Sequence, residues 1–182
     1  MKLSAVKKLV YTAVCSALCL VLPMAFHSVP NAGSIFLPMH IPVLLCGLIC
    51  GWPFGAVCGL LGPFISSIVT GMPPAAMLPS MMIECCTYGL VTGLMMKFVR
   101  TKSYAADLYI SMVAAMAMGR VVAGLAKAWI LAPGTPAFAW VTTSLVTGIP
   151  GIAIQLVLMP ILIFALTKAR LIPVRYPKVT TE

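Results

Sequence analysis

Residues 104–131 read YAADLYISMVAAMAMGRVVAGLAKAWIL. The run is longer than the ~20 residues that a membrane crossing needs. Its composition and length predict a transmembrane helix. Asp107 stands near its start, Arg120 near its middle, and Lys127 about two turns further on. A cation near a bilayer centre costs about 2.5–3.5 kcal/mol on insertion scales, so Arg120 and Lys127 need a partner or a cavity.

The rest of the chain has the same character. Of its 182 residues, 62% are hydrophobic and only 8% are charged, with a mean hydropathy of +1.09. A soluble domain carries ~25% charged residues, so composition places the chain in the lipid bilayer. The length accommodates about six spans with short loops, and one membrane domain, 1–182, is expected. The net charge of +9 is not a nucleic-acid signal. The basic residues fall in short clusters at segment ends, where they set topology.

Spans are expected at about 9–26, 38–50, 54–69, 76–98, 104–131 and 144–166. The first follows Lys2, Lys7 and Lys8, but it is too long for a signal-peptide core and no A-x-A site follows it. It reads as a retained helix. Gly51-Trp52-Pro53 and Thr70-Gly71-Met72-Pro73-Pro74 read as tight turns, and Pro63 as a kink. With six spans, the N-terminus, residues 51–53, residues 97–103 and the C-terminal tail share one side. That side holds every Lys and Arg except Arg120 and Lys127; the loops 27–37, 70–75 and 132–143 hold none. The positive-inside rule then puts both termini in the cytoplasm. The expected fold is an all-α, six-transmembrane-helix bundle. Gly47, Gly51, Gly55, Gly59, Gly89 and Gly93 recur at spacings that let helices approach closely.

Few deep polar groups remain. Glu84 sits in the outer third of the fourth span, at the depth of Lys127, with Tyr88 one turn below. Two readings of these charges stand. A Glu84–Lys127 ion pair fixes the fourth and fifth spans and leaves Arg120 unpaired. Alternatively, these residues line a pocket that receives an anion, most simply a carboxylate. Gln155, inside the sixth span, must hydrogen-bond a helix or a substrate. His40 starts the second span; His27 and Asn31 sit in the long outer loop. Trp129 and Trp140 fit an interfacial aromatic belt, and Asp107 balances the nearby positive cluster.

The seven cysteines are odd in number, lie in apolar stretches and include no CxxC. They read as small fillers of helix interfaces rather than as a disulfide framework or zinc site. Cys46/Cys50 and Met81/Cys85 have helical i,i+4 spacing that a soft ion such as Cu(I) could use, a reading that metal analysis tests. No GxxxxGK[ST], HExxH or GxSxG occurs. Binding or transport is expected rather than catalysis, with no cofactor and no metal.

The pattern resembles the substrate-binding S component of energy-coupling factor (ECF) vitamin transporters. Six short helices with cytoplasmic ends agree with it, as does Ala13-x-x-x-Ala17 after a basic N-terminus. The most specific run is Pro38-Met39-His40-Ile41-Pro42-Val43-Leu44-Leu45-Cys46-Gly47, continued by Gly51-Trp52-Pro53, Gly71-Met72-Pro73-Pro74 and Glu84-Cys85-Cys86-Thr87-Tyr88-Gly89. It is similar to the pantothenate-type subfamily. The resemblance implies a subunit of a bacterial cytoplasmic membrane that captures a vitamin outside. It implies association with a transmembrane scaffold (T) subunit and two cytoplasmic ATPases, whose ATP use topples the S component and releases the ligand inside. The first-helix AxxxA is the docking surface in that family, which assigns Ala13 and Ala17. The family's pocket is built from the first outer loop and the outer parts of the last three helices. With His40, that selects Asn31, Glu84, Tyr88, Arg120, Lys127 and Gln155 as substrate-binding candidates.

Arg120, Lys127 and Glu84 together carry about one net positive charge, which favours a small monoanion such as pantothenate. The competing reading is a stand-alone secondary carrier or channel with Glu84 as its proton-coupling group. Such carriers often show an inverted repeat, which is not visible in this chain.

Overall fold

The computed structural model describes residues 3–25, 32–131, 134 and 136–176, leaving aside the side chains of residues 32 and 34. The described residues form helices and connecting turns, with no strand. The helices are α1 (Ala5–Ala25), α2 (Ala32–Phe36), α3 (His40–Cys50), α4 (Trp52–Thr70), α5 (Leu78–Phe98), α6 (Tyr104–Ala126), α7 (Ala137–Thr147) and α8 (Ile149–Lys168). A π-helical turn, Lys127–Leu131, extends α6.

By length and apolarity, α1, α4, α6 with its π turn, and α8 qualify as membrane spans. With 21 residues, α5 is also long enough to cross, but Glu84, Thr87, Tyr88, Thr92 and Lys97 dilute its apolarity. The expected second span is the 11-residue α3. It rises about 16 Å, roughly half of a ~30 Å hydrocarbon core. It is instead the bundle's central helix, with Val43, Leu44, Cys46, Gly47 and Cys50 all buried. Packing covers its backbone on every side, so it need not be long.

Three expected boundaries move. Trp52 and Pro53 open α4 rather than belonging to a turn, because proline suits the first helical turn. Gly51 alone makes the corner, at φ 93°, a conformation that favours glycine. The expected loop 132–143 contains most of α7. The sixth span starts at Ile149, where Gly148 ends α7 and Pro150 begins the next helix.

The expected small-residue packing is present between α3, α4 and α5. A Cβ added at Gly55 would meet the Gly89 carbonyl and the Gly47 Cα, and one added at Gly59 would meet the Cys85 backbone. These helices approach backbone to backbone, which only glycine permits. Gly89→Ala is therefore expected to destabilise the bundle by about 1–3 kcal/mol, read as a lower thermal unfolding midpoint in detergent. An unchanged midpoint would show that the helices can separate at no cost.

The cysteines fill these seams as expected. All seven are free, and all but Cys86 are buried. The Cys46 thiol donates to Thr12 Oγ1 (3.5 Å), and Ser16 Oγ to Cys58 Sγ (3.6 Å), joining α1 to α3 and α4. No grouping of three or more metal-ligating side chains occurs among the described residues.

One end of the bundle gathers the basic residues. Lys8 Nζ lies 5.7 Å from the Phe54 ring centroid. Tyr11 donates its hydroxyl to the Leu171 carbonyl (2.8 Å). Arg175 Nη2 donates to the Val99 carbonyl (2.5 Å). The start of α1, the start of α4, the end of α5 and the segment after α8 thus meet, as the expected topology requires. Asp107, fully buried in the first turn of α6, pairs with Arg175 there (2.7 Å).

Candidate functional site

A cavity of about 240 Å³ lies between α3, α5, α6, α7 and the segment around Leu37. His40, Glu84, Arg120 and Lys127 all border it, joined by Trp140 and Ser144. A larger hollow, about 310 Å³, lies on the outer face of α6 among Val122, Leu125, Trp129 and Ile130. It offers no polar side chain, so the chemistry belongs to the first.

Glu84 organises the floor. Its Oε1 accepts the Tyr88 hydroxyl (3.2 Å) from one turn along the same helix. The same oxygen is 3.6 Å from His40 Nε2 and 3.9 Å from Arg120 Nη1. The His40 and Tyr88 rings pack with centroids 4.9 Å apart. Gly119 leaves room for the Tyr88 ring, which a Cβ there would strike. The buried carboxylate is thus flanked by a guanidinium, an imidazole and a phenol, as a buried charge requires.

Arg120 is 2% exposed. Its Nη1 donates to the Ser144 carbonyl (2.7 Å) near the C-terminal end of α7, where a helix presents negative partial charge. Its Nε and Nη2 have no hydrogen-bond partner. Lys127 does not pair with Glu84, contrary to the ion-pair expectation. It opens the π-helical turn, whose wider winding carries its side chain towards α7, and Nζ lies 5.3 Å from the Trp140 ring centroid. Arg120 is the cation near Glu84, so the expectation of an unpaired Arg120 beside a Glu84–Lys127 pair is corrected on both counts.

The remaining candidates take supporting positions. Tyr88 is fully buried beneath Glu84 and does not border the cavity. Gln155 does not border it either; its Nε2 donates to the Leu37 carbonyl (3.3 Å). It therefore acts as a helix-to-loop brace. Asn31 lies outside the described residues, as does His27. Ser144, Trp140 and Gly148 were not singled out by the sequence. They stand on α7 and its C-terminal corner, inside a stretch read mostly as loop.

The sequence pattern described as ECF transporter, substrate-specific component, matches residues 7–163. The chain belongs to this family. It is the component of an ECF transporter that binds substrate, embedded in a membrane through its apolar helices. The family is one of transport components rather than catalysts, and it implies ECF T and ATPase modules as partners. No curated protein and no solved structure matches the chain.

Proposed function

We propose that this S component captures a small anionic vitamin, pantothenate-like, from outside a bacterial cytoplasmic membrane. In this reading it crosses six times, counting the short α3 and the polar α5, with both termini cytoplasmic. The gathering of basic residues at one end of the bundle supports that orientation. The ligand is released inside when the T subunit and two ATPases, docked through the Ala13 and Ala17 face, use ATP.

The observation that carries the substrate class is the charge of the cavity wall. Arg120 and Lys127 face one carboxylate, Glu84, which leaves one net positive charge with His40 neutral. A monoanion completes the balance. The cavity is smaller than the ~300–1,000 Å³ typical of drug-sized ligands, which favours a compact vitamin over cobalamin, folate or riboflavin.

Two measurements test this. Mass spectrometry of the small molecule that copurifies with the protein is expected to return a compact carboxylate. Uptake of that molecule by cells is expected only when T and ATPase subunits are co-expressed. Uptake by this chain alone, driven by a proton gradient, would sink the S-component mechanism in favour of a carrier that titrates Glu84.

A further inference from the structure

The guanidinium of Arg120 is used on one side only. Nη1 is spent on the Ser144 carbonyl and lies towards Glu84. The two nitrogens without partners, Nε and Nη2, share the opposite edge of the planar group. Their N–H bonds project in parallel at the spacing of two carboxylate oxygens, the fork geometry that distinguishes arginine from lysine. An unfilled charged edge is costly where water is scarce.

Gly148 borders that edge. A Cβ built there would lie 2.7 Å from Arg120 Nη2, 2.9 Å from the Ser144 carbonyl and 3.2 Å from Leu37 Cδ1. The backbone does not demand glycine at this corner, since its φ of −84° and ψ of 0° are open to other residues. What glycine supplies here is the missing side chain. The same residue ends α7, and its N–H donates to the Ser144 carbonyl (3.1 Å) that holds Nη1.

We propose that the ligand's carboxylate binds side-on to the Nε–Nη2 edge of Arg120, and that Gly148 is a specificity-determining residue because it keeps that edge clear. The clamp rests on the anion reading above. Glu84 acts from the other side: it holds Nη1 electrostatically, so the guanidinium cannot swing its free edge away from the incoming anion.

The test compares pantothenate, biotin and lipoate, each with its primary amide, by calorimetric binding to the purified chain in lipid nanodiscs. The wild type is expected to prefer at least one acid to its amide. Arg120→Lys keeps the charge but removes the fork, and Gly148→Ala places a methyl group against Nη2. Each is expected to weaken binding of that acid about 10- to 100-fold while leaving the amide unchanged. A merely structural role for Gly148 would weaken acid and amide alike. If Gly148→Ala fails to fold, Arg120→Lys carries the test. Retention of the wild-type acid-to-amide preference in either folded variant overturns the clamp. A wild type that prefers none of the acids overturns the anion reading itself, and the clamp with it.

Discussion

Asp107→Ala is expected to lower the stability of the bundle by about 3 kcal/mol, the scale for removing one partner of a buried, hydrogen-bonded ion pair. The carboxylate joins segments distant in sequence. Oδ1 accepts the Thr101 N–H (2.8 Å) and its hydroxyl (2.7 Å). Oδ2 accepts the Tyr176 hydroxyl (2.7 Å) and faces Arg175 Nε at 2.7 Å. Arg175 in turn reaches back to the Val99 carbonyl and Met96 Sδ at the end of α5. Removing Asp107 leaves the Arg175 cation held in place without its counter-charge. A loss of that size corresponds to about 6–12 °C in the unfolding midpoint for a chain of this length. Asp107→Asn keeps the shape and one acceptor oxygen, and is expected to cost less. The double variant Asp107→Ala/Arg175→Ala is expected to be less destabilised than the sum of the single changes. A midpoint for Asp107→Ala within the scatter of wild type would mean that the tail is held by packing, principally the buried Ile172, and not by this network.

This network illustrates what the sequence could and could not reveal. That Asp107 balances the nearby positive cluster was readable, because it is one of three acidic residues in the chain and stands among basic clusters. That its partner is Arg175 was not, because nothing local to residues 104–111 points to a segment beyond the last helix. The same division runs through the site. Depth and charge were enough to select Glu84, Arg120 and Lys127 as a group. The pairing within the group was misread because a regular α-helix was assumed through Lys127, whereas the chain winds as a π turn from that residue. His40 read equally well as an interface anchor; its place against Glu84 depends on α3 being the buried centre of the bundle. The helices themselves were legible from apolar runs and proline–glycine punctuation. The exception, α7, lies in a stretch whose Pro and Ala content mimics a loop.

Ala13→Trp is expected to abolish transport while leaving ligand binding at the wild-type level. The structure gives α1 two distinct faces. Thr12, Cys15 and Cys19 are buried against α3 and α4, while Val6, Val10, Ala13, Val14, Ala17 and Val21 are exposed. Within that apolar face, Ala13 and Ala17 form a shallow notch one helical turn long, flanked by valines. A partner helix can approach closely only where side chains are this small. An indole at position 13 fills the notch and holds such a helix off by several ångström, which is enough to lose close packing along the whole face. No residue of α1 borders the Arg120 cavity, so the two functions are separable. Measured together, vitamin uptake and recovery of the T subunit by affinity pull-down are both expected to disappear. Calorimetric binding to the isolated chain is expected to persist. Ala17→Trp is expected to do the same, whereas Val6→Trp, further along α1 from the notch, is expected to transport. Wild-type uptake by Ala13→Trp would mean that this face meets only lipid, and the scaffold would then have to dock elsewhere on the bundle. Loss of both uptake and ligand binding would instead place α1 within the architecture of the binding site.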